Sequence, residues 1–202
     1  MSRWGLLLAP GASAGRDQPA LVEIDKVAVA LGGFVRRIDF PYRVAGRRAP
    51  DRPAVLISTV VEEAGYLCAE AGLLPQSVFL GGRSMGGRMC SMAVAEGLPA
   101  AGLVLVSYPL HPPGKPERPR TEHFSRLDVP CLFVSGTRDT FGSPEELDHA
   151  LRSIPGPARV DLVEGADHGM KGREKLVAAL VGQWLAANRP ARVGVSPPQP
   201  ER

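Results

Sequence analysis

The chain has 202 residues, a formal net charge of +3, 44% hydrophobic and 22% charged residues, which is enough for one well-buried core, too little for two ordinary domains, and the wrong composition for a disordered, collagen-like or coiled-coil protein. With Gly 23 and Pro 20 the chain must turn often, and with aromatics at 5% its core is built mainly from Ala, Val and Leu. The small basic excess does not predict a nucleic-acid binder, and the densest basic stretch, Arg36 to Arg52, includes Asp39 and Asp51 and reads as a solvated face and loop.

Trp4 to Ala9 is an apolar run that Pro10-Gly11 ends at once, too short for a signal-peptide core or a membrane span and suited to a buried strand. Pro19 to Leu31 places Leu21, Ile24, Val27, Ala28 and Leu31 at helical spacing. Phe34 to Phe40 reads as a second strand and Pro41 to Arg52 as a turn-rich loop. Pro53 suits the first turn of a long helix reaching about Ala71. Ser77 to Leu80 is a third strand and Met85 to Glu96 a helix, with Met85, Met89 and Met92 spaced for core packing. Leu103 to Ser107 follows as a strand. His111 to Arg120 carries Pro112, Pro113, Pro116 and Pro119, which rules out a helix or central strand and leaves an exposed loop. Cys131 to Ser135 and Arg159 to Val163 read as strands, Pro144 to Ser153 and Arg173 to Asn188 as helices. Residues 190–202, rich in Pro, read as a disordered tail beyond a single domain at 1–189.

Strands separated by helices, several of them apolar on both faces, imply an α/β fold: a doubly wound, mainly parallel sheet of about six strands flanked by helices. Cys68, Cys90 and Cys131 are far apart in apolar contexts and read as reduced, packed thiols, not as a disulfide or zinc set. No segment reaches the length of a membrane span. The expectation is a soluble cytoplasmic protein with no nucleic-acid or membrane partner.

The strongest chemical signal is Gly82-Arg83-Ser84-Met85-Gly86, directly after the strand Val78-Phe79-Leu80 and opening a helix. This is the strand-turn-helix context a nucleophilic serine requires: a strained turn lifts the hydroxyl clear of the sheet edge, and side chains two residues either side would collide with neighbouring backbone. The Met85 amide then starts a helix, where it can stabilise a developing oxyanion. A phosphate loop fits worse, since no Gly-Lys-Ser/Thr follows. A serine needs a base, and the base an orienting carboxylate. Asp139 follows the apolar strand Cys131 to Ser135 and so lies on the same sheet edge as Ser84. Asp128 sits at the opposite edge and Asp148 inside a helix. His168 follows the last strand on the catalytic edge, while His149, within a helix, and His111 and His123, flanking the proline loop, read as surface groups. The second oxyanion donor is expected from the small residues of Pro10 to Gly15, with the Ala12 amide best placed. Arg83, Arg88 and Arg138 lie near this site and would favour a carboxylate-bearing substrate only if they are not used for capping or surface pairing.

In these residues the chain resembles the α/β-hydrolase superfamily, and within it the small lidless dienelactone-hydrolase-like and testis-expressed-protein-30-like subgroup. The matching segments are Leu7 to Ala12, Gly81 to Gly87, Ser135 to Asp139 and Asp167-His168. The resemblance implies a serine hydrolase with Ser84 as nucleophile, His168 as base and then acid, and Asp139 orienting it, acting on a small carboxylic ester or thioester without a cofactor or metal. Two departures limit it. Pro10-Gly11 stands where many esterases carry His-Gly, and Ser84 stands where dienelactone hydrolases carry Cys, so that substrate does not carry over. The rival expectation is a binding or scaffold protein that keeps the fold without useful turnover. The proline loop is the only place left for a lid, so an open site is expected.

Overall fold

The computed structural model describes residues 3–190. Among these, β1 (Gly5–Ala9), β2 (Phe34–Arg37), β3 (Val78–Arg83), β4 (Gly102–Val106), β5 (Cys131–Gly136) and β6 (Ala158–Val163) form one sheet, ordered β2-β1-β3-β4-β5-β6. Every pairing is parallel. The helices are α1 (Pro19–Ala30), α2 (Pro41–Val44), α3 (Pro53–Ala71), α4 (Met85–Ala95), α5 (Pro144–Leu151) and α6 (Glu174–Asn188). The α/β reading is therefore correct in class and strand number. The tail expected from residue 190 lies, apart from Pro190, outside the described residues. No helix among them is long and apolar enough to cross a membrane.

The interior strands β1, β4 and β5 are buried at every position, because helices cover both faces. Alternate residues go to opposite cores. Leu6 and Leu8 of β1 join Leu21 and Ile24 of α1 and Val177 and Val181 of α6, whereas Leu7 and Ala9 join Val60 of α3, Met89 of α4 and Leu147 of α5. This division follows from chain direction. The step from β1 to β2 runs one way along the sheet and the steps from β2 onward run the other, so right-handed crossovers place α1 on one face and α3, α4 and α5 on the other. Helix α6 returns to the α1 face, and the helices meet closely at Gly182, where a Cβ would lie 2.4 Å from Val27 Cγ1.

The edge strands carry charged residues, Arg36 and Arg37 in β2 and Arg159 and Asp161 in β6, which disfavours pairing with other chains. Arg36 and Arg37 of β2 are neutralised, the first by Glu63 and Glu70 of α3, the second by Asp25 of α1 and Asp17 before it. Strand β2 is shorter than expected. Its last ladder bond is donated by Ile38 to the Leu8 carbonyl, and Pro41 then turns the chain into α2 where a loop was expected.

Aromatic residues are few but concentrated. Trp4, Phe79 and Trp184 pack edge to face on the α1 and α6 side, with centroids 5.9 and 5.5 Å apart. Phe79 is fully buried between the two tryptophans. Phe79→Ala is expected to lower stability by about 3–5 kcal/mol, measured as a shifted urea midpoint at unchanged slope.

Candidate active site

The strand order reverses between β1 and β3, so the carboxyl ends of these neighbours open a crevice between the loops that follow them. In the loop after β3, Ser84 has φ 52° and ψ −117°, a conformation that L residues rarely adopt. Its amide donates to the Val106 carbonyl at 2.8 Å, tying the turn to β4. The flanking glycines make the turn possible. A Cβ at Gly82 would sit 2.1 Å from the Ala9 carbonyl oxygen, and one at Gly86 would sit 2.2 Å from the same atom and 2.6 Å from the Pro10 oxygen. The elbow therefore rests on the end of β1, backbone against backbone.

The loops after β5 and β6 are joined the same way. A Cβ at Gly136 would lie 2.2 Å from the Ala166 oxygen. The Arg138 amide donates to the Ala166 carbonyl at 2.9 Å, and the Gly165 amide to Thr137 Oγ1 at 2.9 Å. Beyond them, Asp167 Oδ1 accepts the Gly169 and Met170 amides, which bends the chain around His168.

The two loop pairs place three side chains in line. Ser84 Oγ donates to His168 Nε2 at 2.9 Å, and His168 Nδ1 donates to Asp139 at 2.8 and 3.0 Å. The carboxylate accepts only, so Nδ1 carries the proton and Nε2 is free to accept. Asp139 is 6% exposed, and its Oδ1 also accepts the Phe141 amide at 2.8 Å. The Phe141 ring stacks on the imidazole at 4.0 Å between centroids. Arg83, next to Ser84, donates to the His168 carbonyl and so ties the histidine loop to the elbow.

Ala12 and Met85 line a cleft of about 520 Å³ together with Ser84 and His168. Met85 is the first residue of α4, where an amide has no acceptor within the helix. In the loop after β1 the Gly11 amide is taken by Gln18 Oε1 at 3.0 Å and the Ala14 amide by the Gly11 carbonyl at 3.1 Å. The Tyr42 hydroxyl fixes Ala12 by donating to its carbonyl at 2.6 Å. Tyr42, Gln18 and Phe141 were not anticipated. Each acts across space, and only the stop at Pro41 hints that the chain folds back towards the first loop.

Two histidine expectations and one arginine expectation are corrected. His111 and His123 are 8% and 5% exposed, not surface groups, because the proline loop folds against the core through Tyr108 and Leu110. His111 bonds the Pro112 carbonyl, which raises its pKa against the opposing effect of burial. The Ser91 hydroxyl donates to the Arg88 carbonyl and accepts from His123 Nε2 at 2.8 Å. Burial, then Arg88 and Arg126, push His123 down to about 4. Arg138 is exposed and lines a separate cavity with Lys171 and Arg173, while Arg120 of the proline loop lines the Ser84 cleft instead.

A family profile described as alpha/beta hydrolase domain matches residues 2–189. Solved structures share the fold at low identity. A dienelactone hydrolase of Anabaena variabilis is 19% identical over 94% of this chain and 88% of its own, with TM-score 0.76. An alpha-beta serine hydrolase homologue of Coxiella burnetii is 18% identical over 92% and 86%, with TM-score 0.75. A lidless serine hydrolase of Xanthomonas campestris is 14% identical over 95% and 85%, with TM-score 0.73.

Gly86→Ala tests the elbow. Helix propensity alone favours Ala by about 1 kcal/mol, yet the added carbon overlaps immobile backbone, so denaturant unfolding is expected to show net destabilisation; a gain in stability contradicts the close approach. His123 tests the buried cluster through pH. The unfolded chain binds its proton near ~6.5 and the folded chain refuses it until about 4. Its contribution is therefore complete above ~6.5 and is lost as pH falls, at about 1.4 kcal/mol per unit. Urea midpoints of His123→Gln are expected to fall less steeply over that window than those of the unaltered protein.

Proposed function

The chain belongs to the alpha/beta hydrolase domain family, and from that premise we propose that it is a serine hydrolase that cleaves a small carboxylic ester or thioester through an acyl-enzyme. The observation that carries this reading is the 2.9 Å hydrogen bond from Ser84 Oγ to a His168 whose other nitrogen is held by buried Asp139.

In this mechanism His168 Nε2 takes the Ser84 proton as Oγ attacks the acyl carbonyl carbon. Asp139 stabilises the imidazolium and keeps the ring oriented. The Met85 and Ala12 amides receive the oxyanion of the tetrahedral intermediate. As the intermediate collapses, His168 gives its proton to the leaving alcohol or thiol and the carbonyl stays on Ser84. Water, deprotonated by the same nitrogen, then releases the acid and restores the serine. Every bond change uses the substrate, water and these side chains, so the proposed cycle calls for no cofactor. The strained Ser84 conformation supports the reading, since such backbone persists where surrounding structure imposes it and clusters at functional sites.

The reading extends to a cytoplasmic location, which the free state of Cys68, Cys90 and Cys131 suits.

A fluorophosphonate probe is expected to label the folded protein, and Ser84→Ala to abolish labelling. His168→Ala is expected to slow labelling and the hydrolysis of short p-nitrophenyl esters on the order of a thousand-fold or more. A folded protein that resists the probe and turns over none of these esters is a binding or scaffold protein on a hydrolase fold.

A further inference from the structure

Arg83, Arg88 and Arg120 line the cleft beside Ser84, against a single carboxylate, Asp51. Arg47 pairs with Asp51 at 2.7 Å. Arg83 is turned towards the His168 carbonyl. Among the described residues neither Arg88 nor Arg120 forms an ion pair with a carboxylate. The Arg88 Nε is buried without an acceptor.

The two cations are placed by different parts of the fold. Arg88 stands in the first turn of α4, and its amide donates to the Ser84 carbonyl at 3.1 Å. Arg120 ends the proline loop and is fixed through its backbone: the Tyr108 hydroxyl donates to its carbonyl at 2.8 Å, and its amide donates to the Leu110 carbonyl at 2.8 Å. They feel each other. Burial, and then repulsion from Arg88, hold the Arg120 guanidinium below its ordinary value. His123, against the Arg88 turn, is neutral and adds no third charge. Two guanidinium groups lining one partly dry wall, neither of them paired with a protein carboxylate, match one oxygen-rich anion, which their planar forks can grip at both oxygens.

We propose that Arg88 and Arg120 bind a carboxylate on the acyl part of the substrate, so that the ester cleaved at Ser84 is the half-ester of a short dicarboxylic acid. This rests on the serine-hydrolase reading above. The reach of one helical turn from Ser84 limits the acid to a few carbons. Pro50, Pro53, Leu56, Met89 and Pro109 supply an apolar lining for its methylene groups.

The test compares kcat/KM for mono-4-nitrophenyl glutarate and 4-nitrophenyl butyrate. The unaltered enzyme is expected to prefer the charged ester at least ten-fold, and Arg88→Met and Arg120→Met each to reduce that preference ten-fold or more. Arg152→Met, at an exposed position just after α5, should leave the ratio unmoved. Calorimetry on Ser84→Ala separates sources of the anion: glutarate should bind more tightly than inorganic phosphate, and Arg88→Met should weaken it ten-fold or more. Tighter phosphate binding, a preference for butyrate, or a ratio that neither variant moves overturns the carboxylate site. If the fluorophosphonate probe still labels Ser84, the hydrolase reading survives that result; if it does not, both fall.

Discussion

The site depends on a contact with no side chain in it. Two glycines let the β3 to α4 turn press on the carbonyl at the end of β1, at a separation that no Cβ would allow. Because β1 and β3 are direct neighbours, with Ala9 opposite Gly82, the turn can descend only where both strands end together. Ser84 is thereby forced into its left-handed conformation, a cost of about 1–3 kcal/mol. The bond to Val106 and the burial of α4 through Met89, Cys90 and Ala93 offset it. The same contact sets the first loop beside the serine and brings Ala12 and Met85 into one cleft.

A second backbone contact, Gly136 against Ala166, does for the carboxylate and imidazole what the first does for the serine. Each half is rigid within itself. Arg83 joins them, since it belongs to the elbow by sequence and bonds the histidine loop. Its own position is costly, for burial lowers its pKa and its Nε has no acceptor. A residue flanking Ser84 thus couples the position of His168 to that of the serine.

Much of this was legible in the chain. Apolar runs bounded by turn residues located the four interior strands, because interior parallel strands are buried on both faces and need no alternation, and the two edge strands were found as shorter mixed segments between helices. Ser84, Asp139 and His168 stood out because each follows a strand, and in a parallel sheet all such positions share one edge. What escaped was set by packing across space. Tyr42 reaches Ala12 over 30 residues and Arg83 reaches His168 over 85, and no local pattern announces such contacts. The proline loop was read correctly as irregular and exposed, but the burial of its two ends was not foreseen. Its prolines exclude regular structure, yet Tyr108, Leu110 and Phe124 anchor its ends in the core and carry His111, His123 and Arg120 inward. The strand ending at Arg37 ran shorter than its hydrophobicity suggested, because Ile38 and Phe40 are buried beyond the last paired residue.

The hydrogen-bonded line of Ser84, His168 and Asp139 draws on three strands, and its last member arrives only after β6, the outermost strand on that side of the sheet. On the ribosome, the strands and glycines that build the elbow are made well before residue 168. A chain that stops short of residue 168 therefore lacks the base that the proposed mechanism requires, and the site is complete only when the sheet is finished. If Ser84 acts as proposed, completion of the fold and readiness of the site coincide, and a growing polypeptide carries the serine without its base.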